Sequence, residues 1–109
     1  MTVTELKEAL SLTEFCLPNP DAAVTGGYAG DLLSWVMGRA QEGDCWITIM
    51  SNLNVAAVAL MADAACVLLS EGVSPDGPLL EKAGAQGVNL LGSDKSTFTL
   101  AAEVHDLLK

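Results

Sequence analysis

Apolar residues in this chain fall into short dense runs, separated by glycine, proline and small polar residues. Leu12 to Leu17 forms one run, stopped by Pro18-Asn19-Pro20, and reads as a first strand. Cys45-Trp46-Ile47-Thr48-Ile49-Met50 is rich in β-branched and aromatic residues, the composition that suits a pleated surface. Ala65 to Leu69 and Gly87 to Leu91 complete the set of expected strands. Between them the spacing of apolar positions changes to that of helices: Thr4 to Leu10 with Thr4 as cap, Ala29 to Gln41, Val55 to Ala62, Pro78 to Ala85 and Ser96 to Leu108. Pro78 suits a first helical turn, where a missing N–H costs nothing. Three successive strand-then-helix units imply right-handed crossovers, and strands apolar throughout imply burial on both faces. The expectation is an α/β fold: one domain over residues 1–109, a mostly parallel β-sheet flanked by helices.

Two of the expected helices are unusually apolar. Leu32, Leu33, Trp35, Val36, Met37 and Ala40 surround nearly the whole circumference of the first, and Val55 to Ala62 carries no charge. A chain of 109 residues supports one core but cannot enclose both helices. A homodimer is therefore expected, with Trp35 or Met37 as the outward anchor.

Charge narrows the partners. Fourteen acidic residues against five basic ones give a formal net charge of −9, and the basic residues are scattered. Phosphate backbones and anionic membrane surfaces need clustered cations, so neither a nucleic acid polymer nor a membrane is an expected partner. The apolar stretch Val55 to Leu69 is interrupted by Asp63 and is shorter than the roughly twenty residues that span a bilayer. Polar residues from Thr2 to Glu8 break the continuous apolar stretch that a signal peptide needs, so a cytoplasmic location is expected. Cys16, Cys45 and Cys66 are odd in number, lack C-x-x-C spacing and lie in apolar runs, reading as small buried hydrophobes in a reducing compartment. With a single histidine, His105, expected to pack beside Phe98 and Ala101, no metal set forms and no cofactor is expected.

The ligand candidates come from topology. The C-terminal ends of parallel strands share one sheet edge, where ligands of open α/β sheets bind against helix N-termini. That edge should gather Ser51 and Asn52 with Asn54, then Ser70, Glu71 and Gly72, then Gly92, Ser93 and Asp94. Thr25-Gly26-Gly27, read as a bent loop feeding a helix, is expected to fold over Ser51-Asn52 and form a small polar pocket for an anionic or nucleotide-like ligand. The candidate ligand-binding residues are Thr25, Gly26, Gly27, Ser51, Asn52, Ser70, Glu71 and Ser93. A structural role stands beside each: Asn54, Ser93 and Asp94 are ordinary helix caps, and the glycines serve tight turns and close packing. The cluster lacks both the G-x-G-x-x-G spacing and a G-x-x-x-x-G-K-[ST] loop, which removes dinucleotide and P-loop chemistry. Glu71 and Asp94 are the one carboxylate pair placed for acid/base work.

The segment around Thr25-Gly26-Gly27 resembles the DRTGG domain family, small α/β modules of bacteria and archaea named for an Asp-Arg-Thr-Gly-Gly motif. Ala23-Val24 stand where Asp-Arg would be, Asp21 lies close by, and the resemblance runs from about Glu14 to Lys109. Related domains stand alone or are fused to other modules, as in the N-terminal part of HPr kinase; this chain resembles the stand-alone form. The resemblance implies a non-catalytic regulatory or ligand-sensing module acting as a homodimer. Because stand-alone relatives are often encoded beside hydrogenase or NADH dehydrogenase-like subunits, it also implies an accessory role near redox systems. A small enzyme acting on a phosphorylated or nucleotide-like substrate at the strand-end edge, and a purely structural interaction protein, are the competing classes.

Overall fold

The computed structural model describes residues 1–109. The elements in chain order are α1 (Val3–Leu10), β1 (Thr13–Cys16), β2 (Gly26–Ala29), α2 (Leu33–Arg39), β3 (Asp44–Thr48), α3 (Asn54–Ala62), β4 (Cys66–Leu69), α4 (Gly77–Gln86), β5 (Leu90–Gly92) and α5 (Thr97–Leu108). They build one five-stranded sheet in the order β1-β5-β4-β3-β2. β2, β3, β4 and β5 run parallel, and β1 joins β5 antiparallel at the far edge. The single α/β domain with a mostly parallel sheet matches the reading from sequence.

Alternation along the strands divides the core into two layers. Trp46, Val67, Leu69 and Leu90 face one side, where they meet Val36 of α2, Val55, Val58 and Ala59 of α3, and Leu79 and Ala83 of α4. Cys45, Ile47, Cys66, Leu68 and Leu91 face the other, against Val3 and Leu6 of α1 and Leu100 and Val104 of α5. Trp46 is fully buried, and its indole N–H donates to the Gly30 carbonyl at 2.9 Å, so the largest core side chain leaves no polar atom unpaired.

Several local expectations are corrected. Gly26–Ala29 is a strand rather than a loop or helix start, paired residue for residue with Asp44 to Ile47. Glycine-rich sequence has little strand preference of its own, and here the neighbouring strand imposes the conformation. Gly26 is required there, because a Cβ would stand 2.6 Å from Oδ1 of the buried Asp44. α2 consequently starts at Leu33, and only Val36 of that helix is buried. As expected, one chain does not enclose α2: Trp35 stays 51% exposed, with the Arg39 guanidinium over its ring at 3.7 Å, and Met37 is also exposed. α1 begins one residue before Thr4; its cap is Thr2, in a capping box with Glu5 that also holds the Glu5 carboxyl below its usual range through hydrogen bonds from Thr2. His105 is exposed rather than packed.

Asn89, buried at the approach to β5, was unmarked in the sequence and clasps three segments. Its side-chain nitrogen donates to the carbonyls of Asn19 and Ala65 at 2.7 and 2.9 Å, and its oxygen accepts from the Asn19 N–H at 2.9 Å.

Cys45 and Cys66 are buried neighbours in the parallel register of β3 and β4. A hydrogen bond with Cys66, then burial, push the Cys45 thiol well above the ordinary thiol range. Burial, and secondarily the Glu14 charge, raise that of the half-buried Cys16. The folded chain therefore keeps protons that the unfolded chain releases above about pH 8.5. The stabilisation is complete below that pH and is lost as pH rises toward the folded-state values. Denaturant titrations from pH 7 to 9.5 should show stability falling at the alkaline end, with a shallower decline in Cys45→Ala. A thiol reagent on the native protein at neutral pH should label Cys16 slowly and leave the other two until unfolding.

Candidate functional site

Passing from β2 to β5, every crossover steps one place in the same direction, which puts α2, α3 and α4 on one face. The strand order never reverses, so the sheet has no switch point and no crevice opens between diverging crossovers. This changes the site expected from sequence. Thr25 lies at the N-terminal end of β2, its N–H donating to the Gly43 carbonyl at 2.9 Å. Ser51 and Asn52 follow the opposite end of β3. The intervening strand Asp44–Thr48 alone spans roughly 13 Å, so Thr25-Gly26-Gly27 and Ser51-Asn52 are not two walls of one pocket.

The candidate residues fall into three separate groups. Ser51 and Asn52 shape the turn into α3: the Ser51 carbonyl accepts from Asp76 N–H at 3.0 Å and the Asn52 side-chain oxygen from Asn54 N–H at 3.0 Å. Ser70, Glu71 and Ser93 do come together. The fully buried Ser70 hydroxyl lies 2.6 Å from that of Thr97, and the Glu71 carboxylate accepts from the Thr97 N–H at 2.9 Å. Glu71 adopts φ 59 and donates its own N–H to the Lys95 carbonyl at 2.8 Å, while Gly72 N–H reaches the Ser93 carbonyl at 3.0 Å. These bonds fasten the N-terminus of α5 to the end of β4, and they give Glu71 a capping task in place of the expected pairing with Asp94.

Beside this junction lies a polar hollow of about 310 Å³. Its walls are the end of α1 and the start of β1, with Ser11 and Thr13, and the loop Ser93-Asp94-Lys95. The Lys95 ammonium is held by both oxygens of Glu103, at 2.9 and 3.0 Å. Ser93 is the one candidate residue among these walls.

The third group, Thr25, Gly26 and Gly27, lines a different groove of about 320 Å³ between β2 and α5, closed by Ile47, Ala101, Val104, His105 and Leu108. It is mostly apolar. A Cβ on Gly27 would sit 3.7 Å from Val104 Cγ1, so the glycine brings the strand close beneath the helix. The α5 wall lies some seventy-five positions away in sequence, and no local pattern joins it to the glycines. Asp31 was likewise missed: it accepts from the Thr48 hydroxyl at 2.8 Å and from Ile49 N–H at 3.0 Å, tying the loop after β2 to the end of β3. No group of three or more histidine, cysteine or carboxylate side chains is disposed to hold a metal ion, and no helix is long and apolar enough to cross a membrane.

Fold and site together define a singly wound α/β module whose polar strand-end groups bind mainly to the chain's own backbone. A solved structure shares this architecture: the CBS and DRTGG domains of the regulatory region of Clostridium perfringens pyrophosphatase, complexed with its activator, diadenosine tetraphosphate. The match covers 93% of this chain with a TM-score of 0.72 and 13% sequence identity, a likeness of fold. The chain spans 44% of that longer one. No family model and no curated protein matches the sequence.

The Glu71 and Asp31 bonds make a measurable prediction. Glu71→Ala should lower stability by about 0.5–2 kcal/mol, the usual cost of losing a helix cap. Asp31→Ala, which takes the acceptor from the buried Thr48 hydroxyl proton and from the Ile49 N–H, should cost about 1–3 kcal/mol. Both are read from urea unfolding midpoints with an unchanged slope.

Proposed function

We propose that this protein is a non-catalytic regulatory module, of the DRTGG type, that senses a small nucleotide-like ligand and acts as a homodimer. The observation that carries the reading is the engagement of the strand-end side chains. Ser70, Glu71, Asn52 and Asp31 each bond to the chain's own atoms in a way that builds the fold, which leaves little for acid, base or nucleophilic work. The shared fold with a regulatory region that was solved with a dinucleotide activator supports the same class.

The polar hollow at Ser93 suits the ligand better than the β2–α5 groove does. Hydroxyls of Ser11, Thr13 and Ser93 offer hydrogen-bonding groups to a ribose or phosphate, with Lys95, paired to Glu103, and the Asp94 carboxylate at the same walls. Its position also suggests how binding is relayed. The loop Ser93-Asp94-Lys95 leads directly into α5, whose first turn is held by Glu71 and Ser70, so a ligand that reorders the loop shifts the seating of that helix. The homodimer reading draws on the half-exposed Leu32, Trp35 and Met37, and on the uncharged outer stripe Leu53, Ala57, Leu60 and Met61 of α3. On the DRTGG resemblance, the module would serve as an accessory to redox complexes.

A thermal-shift screen with mononucleotides and diadenosine polyphosphates tests the ligand reading, because a ligand that binds only the folded state raises the melting temperature. Ser93→Ala should weaken a compound found this way by about 5- to 10-fold, the effect of one hydrogen bond, whereas Gly27→Val should leave its affinity unchanged. Loss of binding in Gly27→Val alone would move the ligand to the β2–α5 groove. A screen in which no compound shifts the melting temperature would reject the sensing role.

A further inference from the structure

We propose that a second copy of this chain docks along the free edge of β2, joining two five-stranded sheets into one and setting α5 against its counterpart. The inference rests on the homodimer reading above and assigns it a surface.

The two edges of the sheet are built differently. At β1 the exposed Glu14 is paired with Lys7 at 2.8 Å, the register with β5 is broken between Glu14 and Cys16, and Pro18 follows the strand. Charge, bulge and proline are the usual means by which a protein keeps an edge from pairing with another chain. β2 has none of them. Gly26-Gly27-Tyr28-Ala29 is uncharged, carries no proline, and its register with β3 is unbroken. Its outer side carries unpaired N–H and C=O groups.

The sheet surface next to that edge is also bare. Gly27 and Ala29 face the α5 side, yet both remain exposed, because α5 packs on β2 and β3 without closing over the outer flank of β2, where the groove lies. The open groove beside it has the size of a missing helix flank. Strands in a sheet are about 4.8 Å apart, so antiparallel pairing of two β2 strands about a two-fold axis sets the two α5 helices two strand spacings apart, roughly 10 Å. Packed helices lie about 8–10 Å apart. The arrangement that satisfies the backbone edge therefore also brings the two helices to packing distance. Phe98, 84% exposed at the start of α5, is carried toward the Leu108 end of the partner helix.

Charge favours a second copy at this place. A net charge of −9 makes most of the surface self-repelling, but no carboxylate lines the groove, and its ionisable side chains are Tyr28, His105 and Lys109, the last paired with Asp106 at 3.4 Å. Two copies can meet here without setting acid against acid. On the opposite sheet face α2 connects the same two strands, so the same pairing brings the helix that bears Trp35 and Met37 toward its own counterpart.

Sedimentation of the full chain across micromolar concentrations, with Ala29→Lys beside the wild type, tests the surface. Ala29 is exposed, so a lysine fits the folded monomer while placing a charge on the edge. Wild-type protein should sediment as a dimer, Ala29→Lys should weaken association by at least tenfold with unchanged far-ultraviolet circular dichroism, and the β2 amides should gain exchange protection as concentration rises. Should Ala29→Lys misfold, Ala101→Lys on the α5 flank should give the same loss of association. A dimer that survives the folded variant would overturn this surface and leave the homodimer reading standing; a wild-type monomer would overturn both.

Discussion

β3 and β4 are apolar on both faces, and the rest of the structure follows from having to cover them. No residue of Asp44–Thr48 or Cys66–Leu69 is exposed, so neither face of the sheet can be left to water. Three helices close one side and two close the other, dividing the core between Trp46, Val67 and Leu69 on one face and Cys45, Ile47, Cys66 and Leu68 on the other. Burial of this kind contributes about 25 cal/mol per Å² of apolar surface, which makes it the dominant favourable term in folding. It also sets the limits of the domain. Each helix is placed where it covers strands, and its remaining faces are left as they fall.

The polar groups at the strand ends are a consequence of the same covering. A helix crossing the end of a buried strand must have its first N–H groups met, and the chain meets those of α5 with Glu71 and with the Ser96 cap, while Ser70 is paired through Thr97. Asp31 performs a related service for Thr48 and Ile49, and Asn89 for Asn19 and Ala65. Side chains that look chemically capable in a sequence are thereby committed to holding segments together. What stays open is the Ser93 hollow, the apolar groove along the flank of α5, and a hollow of about 410 Å³ among Asn19, Thr25, Glu42, Gly43 and Asp63. α5 walls the groove, and the loop Ser93-Asp94-Lys95 that borders the Ser93 hollow leads into that helix.

The two edges of the sheet are built differently. β1 reverses direction, bulges and carries a charge, features that end a sheet. β2 is uncharged and keeps an unbroken register with β3, features that leave a sheet able to continue.

Much of the fold was legible in the sequence. The dense runs Cys45 to Met50 and Ala65 to Leu69 and Pro78 in a first turn each point to one local structure, so strands and helices of the central sheet emerge from periodicity and turn chemistry; the caps do not, since α5 is capped by Ser96 rather than Ser93 or Asp94, and α3 has no side-chain cap at Asn54. Gly26–Ala29 did not, because a strand of glycines is chosen by its pairing with β3 rather than by its own side chains. The candidate site was legible only in part. Ser70, Glu71 and Ser93 converge because adjacent parallel strands must end together, a rule that topology supplies before any coordinates exist. Whether a crevice opens at those ends depends on the direction of each crossover, and whether Thr25-Gly26-Gly27 meets Ser51-Asn52 depends on which end of β2 the triplet occupies. Hydrophobic pattern is set residue by residue along the chain; pairing register, crossover direction and the α5 wall opposite the glycines arise from contacts between distant segments, and those only the tertiary structure decides.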